Sequence, residues 1–202
     1  MASYKKNENP DHAQALNWKE SLVLYVQDWI HLLTIVMVIF LLLFRVIIVS
    51  GSSMYGTLWD GDYLLLLNNL FYSEPKAGDV VVISKESFDH GSPIVKRVIA
   101  VEGQTVDIDF YNGIVYVDGV VLQEPYINNL TINSEGTVFP LTVEENCIFV
   151  LGDNRQVSRD SRDPTIGQVD KREVLGKALF LFLPGTSNGH YPRDWQRIGV
   201  VK

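Results

Sequence analysis

A single cysteine, Cys147, among 202 residues excludes an intramolecular disulfide. It sits in the apolar run Cys147-Ile148-Phe149-Val150-Leu151 and reads as a buried strand residue, not a catalytic thiol. Basic charge is also scarce. Seventeen Lys and Arg against 24 Asp and Glu leave a formal charge of -7, so the positive face that phosphate backbones require is missing. Nucleic acid is therefore not an expected partner. The four histidines, His12, His31, His90 and His190, fall at no metal-ligand spacing, and neither a metal nor another cofactor is expected. Past residue 50 there is no long helical periodicity, no internal repeat and no second span: Val174-Leu183 is apolar but short, is interrupted by Lys177, and reads as a buried strand.

One long hydrophobic run is present. Trp29 to Val49 is 21 residues with His31 near one end and Arg45 near the other. At about 1.5 Å per residue it can cross a hydrocarbon core of about 30 Å. It is apolar all round, which a surface helix of a soluble domain would not be. It is too long for the core of a secretory signal, and no small-x-small site with that role follows it directly. Lys5, Lys6 and Lys19 precede it and only Arg45 follows closely, which places the N-terminus in the cytoplasm and everything after Ser50 outside. The expected organisation is a cytoplasmic segment over 1-28 with an amphipathic lead-in, a transmembrane helix over 29-49, and an extracytoplasmic domain over 50-202 in the cell membrane.

That outer domain has a β texture. Tyr63-Leu67, Val80-Ser84, Ile94-Val101, Thr105-Phe110, Ile114-Val117, Val120-Leu122, Cys147-Leu151 and Ala178-Leu183 are strand candidates, rich in β-branched and aromatic residues. Asn112-Gly113 and Asp118-Gly119 are dipeptides favoured in tight hairpins. The expected fold is mainly β, built of folded antiparallel sheets behind the one helix.

Two segments resist a purely structural explanation. Ser50 to Leu58, reading SGSSMYGTL, lies just past the membrane run, where its bland reading is a helix stop and linker. In Ile94-Val95-Lys96-Arg97-Val98-Ile99, two adjacent cations interrupt aliphatic residues. Neighbours on a strand point to opposite faces, so one cation is directed toward a sheltered side. Burial disfavours an ammonium, and a lysine so desolvated can take the proton of a serine hydroxyl without histidine or metal.

Gly51-Ser52-Ser53-Met54-x-x-Thr57-Leu58 resembles the nucleophile box of bacterial type I signal peptidases. Lys96-Arg97-Val98-Ile99 with Glu102-Gly103 resembles their lysine box, and Gly152-Asp153-Asn154-Arg155-x-x-Ser158-x-Asp160-Ser161-Arg162 resembles a third box. All three occur in the family's order behind one anchor. The resemblance implies folded sheets of the signal-peptidase and LexA-like type, Ser53 as nucleophile, and Lys96 as general base. It further implies that Ser158 hydrogen-bonds the Lys96 amine and that Asp160 holds Arg97 and Arg162 in an ion-pair cluster. The Ser53 backbone N–H would form part of an oxyanion hole, with Ser50 or Ser52 as weak candidates for a second donor, since Gly51 carries no hydroxyl. Two positions depart from the pattern: Gly56 replaces a usual proline and Ala100 a usual glycine.

The reaction implied is removal of signal peptides from exported preproteins, with the lipid bilayer and the secretion translocon as neighbours. Met54, Leu58, Ile94 and Val95 occupy positions matching shallow pocket walls for small side chains, though each could equally be core. An extended substrate would pair with the Ile94-Lys96 strand. Three other readings are weaker or differ only in substrate. A LexA-type repressor would carry a DNA-binding domain in place of the span. A maturation protease of a conjugation or secretion system would differ only in what it cuts. A non-catalytic membrane-anchored binding module is disfavoured by retention of Ser53, Lys96 and Ser158.

Overall fold

A computed structural model describes residues 18–186 and 192–202. The chain divides into two units, residues 1–40 and 41–202. Helix α1, Trp18–Leu43, contains no glycine or proline over 26 residues, so nothing interrupts its hydrogen-bond ladder. Its one hydroxyl within the apolar stretch, Thr34, returns to the Ile30 carbonyl at 2.8 Å and so exposes no unsatisfied donor. The segment Ser21–Leu43 is long and apolar enough to cross a membrane. The expected lead-in, Asp11 to Asp28, is part of the same helix from Trp18 onward; residues 1–17 lie outside the described residues.

The apolar run is not helical to Val49, as the sequence suggested. Phe44–Ile48 form strand β1, which pairs antiparallel with β2, Tyr63–Asn68, from Phe44↔Leu67 to Ile48↔Tyr63. The leucine-rich part stays helical and the β-branched end, Val46-Ile47-Ile48, leaves it. Hydropathy cannot separate the two, whereas pairing with β2 satisfies the backbone of a β-branched segment. Asn68 Nδ2 donates to the Leu42 carbonyl at 3.2 Å and so caps the helix end where the strand begins.

The remaining strands are β3 (Val80–Ile83), β4 (Ile94–Val101), β5 (Thr105–Asp109), β6 (Ile114–Val117), β7 (Val120–Val121), β8 (Leu141–Thr142), β9 (Cys147–Leu151), β10 (Val169–Asp170), β11 (Val174–Leu183) and β12 (Gly199–Val200). They form two antiparallel sheets. The larger has the order β1-β2-β11-β3-β4-β9-β10, with β12 added to β11; the smaller is β7-β6-β5-β8. The mainly antiparallel β fold expected from the sequence is therefore the one observed. Asp118 and Gly119 both take positive φ, 52° and 76°, and close the β6–β7 hairpin as a tight turn should. Asn112-Gly113 behaves differently: only Gly113 is left-handed, and it ends a longer loop closed by Gly113 N–H to Asp109 O at 2.7 Å.

Strand β4 positions the chemistry. It is central in the large sheet, with β3 on one side and β9 on the other, and Val95 through Ala100 are all buried. One core cluster, including Met54, Leu58, Leu64 and Val95, lies under the segment after β1. Another, including Ile99, Val106 and Phe149, joins the two sheets. Cys147 is half-buried at the start of β9, less sheltered than its run suggested, because the strand's first residue lies at its edge.

Candidate active site

The loop between β1 and β2 is closed at its base by Val49 N–H to Asp62 O and Gly61 N–H to Val49 O, both 2.8 Å. Inside it a helical turn forms, with Leu58 N–H bonded to Met54 O at 2.8 Å. Met54 and Leu58, four apart, thereby fall on one face and enter the core at 1% exposure each. Ser53, just before that turn, is left half-buried. Its carbonyl accepts Asn154 N–H at 3.0 Å, and Asn154 Nδ2 holds the Ser52 carbonyl at the same distance. The third box thus fastens the serine loop. Gly152 is required for this approach: a Cβ there would lie 2.6 Å from Ser53 O and 2.1 Å from Ser158 Oγ.

Lys96 reaches this loop from β4. Its Nζ lies 2.8 Å from Ser53 Oγ, and the side chain is almost wholly buried. Burial lowers its proton affinity to a pKa of about 8, against the opposing fields of Asp160, Glu135 and Asp153. At pH 7 roughly one molecule in ten then carries a free amine, against one in a few thousand for an unperturbed lysine. The pair can transfer a proton from hydroxyl to amine.

Arg97, the next residue, is paired in every direction. Its Nε and Nη2 meet Asp153 at 2.8 and 2.7 Å, and Nη1 and Nη2 reach the Gly78 and Lys202 carbonyls. The guanidinium lies 3.9 Å from the centre of the Tyr126 ring. Thr57 Oγ1 also donates to Asp153, so the ion pair fastens the serine loop from its far end.

Beside Ser53 opens a cavity of about 400 Å³, lined chiefly by Ile47, Val49, Val82, Pro93, Ile94 and Val95. It is apolar and has no charged wall.

A model of the signal peptidase family, peptidase S26, matches residues 22–183. The chain is 34% identical over 179 residues to signal peptidase I of Bacillus licheniformis, covering 85% of this chain and 94% of that one. It is also 34% identical over 176 residues to a probable signal peptidase I-1 of Synechocystis, covering 82% and 86%. The chain belongs to the signal peptidase family. A crystal structure of a signal peptidase I from Enterococcus faecalis matches with 31% identity and a TM-score of 0.42, covering 52% of this chain and 96% of that one.

Within this family member the expected residues divide. Ser53 and Lys96 meet. Ile94 and Val95 line the cavity, whereas Met54 and Leu58 do not, because the helical turn directs them inward. Asp160 pairs with Arg162 at 2.8 Å and accepts Gly152 N–H at 3.0 Å, but it does not hold Arg97, whose carboxylate is Asp153. The two arginines therefore sit in separate ion-pair groups, not one cluster. Ser158 is buried against Gly152, and its hydroxyl makes no hydrogen bond, to Lys96 or to anything else among the described residues.

Sequence reasoning missed Asp153, Asn154 and Thr57 as loop fasteners, although all three stood in the quoted boxes; a polar turn was explanation enough for the first two. The departure at Gly56 has a local cause. Its φ is +109°, which the proline ring, fixed near about −65°, cannot reach.

Proposed function

We propose that this chain is a membrane-anchored endopeptidase that removes N-terminal signal peptides from exported preproteins, with Ser53 as nucleophile and Lys96 as general base. The observation that carries the reading is the 2.8 Å approach of the two groups at a lysine with almost no access to water. In the reaction the neutral Lys96 amine takes the Ser53 proton as Oγ attacks the scissile carbonyl, then gives it to the departing amine. Water, deprotonated by the same nitrogen, hydrolyses the acyl-enzyme. The Ser53 backbone N–H has no intramolecular acceptor among the described residues, which leaves it available to the oxyanion.

Two features support the substrate. The cavity beside Ser53 suits a small apolar side chain and offers nothing to a charge. On β4, the pairing to β9 covers only Arg97 to Val101, so one edge of Ile94-Lys96 is open to an extended peptide. Helix α1 would hold the site near the bilayer, where a signal peptide's own helix presents its cleavage point, with Lys19 on the cytoplasmic side. The translocon would be a neighbour, not a ligand.

The test is cleavage of a preprotein in detergent by wild type, Ser53→Ala and Lys96→Ala. Each substitution is expected to lower turnover by about 10³-fold or more. Wild-type activity should rest on a free amine and so fall as pH drops through about 8. Equal cleavage by all three proteins would remove the mechanism.

A further inference from the structure

Among the described residues two buried side-chain atoms lack a hydrogen-bond partner, Glu135 Oε2 and Ser158 Oγ. Buried polar groups without partners are rare enough to need a reason. For Glu135 the oddity is double, because its φ is +50°, a region glycine occupies more readily than glutamate. The turn is nonetheless tightly fixed. Gly136 follows at φ +112°, where a Cβ would lie 3.4 Å from the Pro164 ring, and Thr137 bonds the carbonyls of Arg162 and Ser161 at 2.9 and 3.0 Å. The effect is to hold one Glu135 oxygen 3.2 Å from Arg162 and leave the other sheltered and unpaired. Strain and an orphaned carboxylate oxygen in one residue suggest that its place serves the site.

Glu135 faces a small set of charges. Around it stand Asp160, Arg162 and Asp163; around Lys96 stand Asp160, Glu135 and Asp153, with Arg162 opposing them. Asp160 is already committed to Arg162, bidentate through Nε and Nη2. Asp160 is still the strongest of the anions acting on the lysine, with Arg162 opposing it. Glu135 adds a negative charge that Arg162, sharing its guanidinium, only partly answers.

We propose that Glu135 is a positioning residue for the base: its carboxylate, held at the edge of the buried Arg162–Asp160 pair, stabilises the ammonium that Lys96 becomes when it takes the serine proton. This rests on the Ser53–Lys96 reading above. Burial favours the neutral amine but also penalises the cation formed in the transition state. An anion fixed against Arg162, outside ion-pair distance of the lysine, offsets that penalty without keeping the lysine permanently charged. Burial and Asp160 raise the Glu135 carboxyl to about 7, so it is ionised where the enzyme works, above about pH 8.

The experiment is the pH dependence of preprotein cleavage by full-length wild type, Glu135→Gln and Glu135→Gly, with thermal unfolding of each. Glycine relieves the positive φ and glutamine does not, so the two act oppositely on the backbone while both remove the charge. Without the anion the Lys96 ammonium is less stable. The acid limb should therefore move to lower pH by about half a unit or more in both variants, and the plateau rate should fall severalfold. A limb that stays in place or moves up, in whichever variant folds, overturns the proposal. Lys96→Ala is assayed alongside: activity there would sink the dyad itself, whereas its inactivity with unmoved limbs sinks only the role of Glu135.

Discussion

Lys96 and Arg97 are neighbours on β4, equally buried at 2% and 1% exposure, and yet their surroundings differ completely. Arg97 is met by a bidentate carboxylate, two carbonyls, a threonine and an aromatic ring. Lys96 is met by one hydroxyl, and among the described residues no carboxylate lies within ion-pair distance of it. Burial is thus not what makes a base. Arginine stays charged under all ordinary conditions, so a buried one must be paired. Lysine can shed its proton, so a buried one may be left unpaired and become reactive. One strand supplies both: a cation that fastens the serine loop and an amine that meets the serine hydroxyl.

The largest effect should come from stripping Arg97 of its partner. Asp153→Ala leaves a buried guanidinium uncompensated and frees Thr57, so stability should fall by about 3–5 kcal/mol, read by thermal or denaturant unfolding in detergent. An unchanged midpoint would mean that Arg97 is solvated after all. The opposite sign is expected next door. The gap between lysine's usual 10.5 and about 8 in the fold corresponds to roughly 3 kcal/mol of cost. The sign follows from proton binding. Between those two pH values the unfolded chain holds a proton that the folded chain has lost, so stability rises with pH across that window and the cost is full below it. Lys96→Met should then stabilise the protein by up to about 3 kcal/mol at pH 7, with the gain shrinking above about pH 8, while abolishing cleavage. A destabilised Met variant would contradict the contrast.

Where the sequence was informative, and where it was not, has a physical pattern. The central strands were legible because β4 and β9 are short apolar runs between turn residues, and Ile94–Val101 and Cys147–Leu151 begin and end where the pattern does. Strand β1 was not, because Val46-Ile47-Ile48 continues the hydropathy of α1 and only the partner strand distinguishes them. That Ser53 and Lys96 should meet was legible through the resemblance of their two boxes to the family's. The Asp153 pairing was not, since a carboxylate's choice between Arg97 and Arg162 depends on which side of the third-box turn each arginine enters. Met54 and Leu58 lie in the core, the other reading left open for them, for a similar reason: one helical turn decided their direction, and nothing in SGSSMYGTL announces it. The cavity beside Ser53 is lined by Ile47, Val49, Val82 and Pro93 as well as Ile94 and Val95, and the first four come from segments that read simply as anchor or core.

Ser158 gives the smallest and most discriminating test of the contrast between a paired and an unpaired cation. Its hydroxyl is buried beside Gly152, where Ser53 also comes close, and it has no partner of its own. An unsatisfied buried hydroxyl costs folding energy, on the order of 1–3 kcal/mol, so Ser158→Ala should leave the unfolding midpoint unchanged or raise it. Turnover should move the other way. On the proposed mechanism Lys96 loses the one group it touches once Ser53 Oγ is bonded to the substrate carbonyl, and the family resemblance makes the Ser158 hydroxyl the group that would then orient the amine toward the incoming water. A fall in kcat of about tenfold with little change in KM, in a protein no less stable, is the expected outcome, and steady-state kinetics beside a thermal melt reads both. Full activity in the variant would show that Lys96 needs no second hydroxyl.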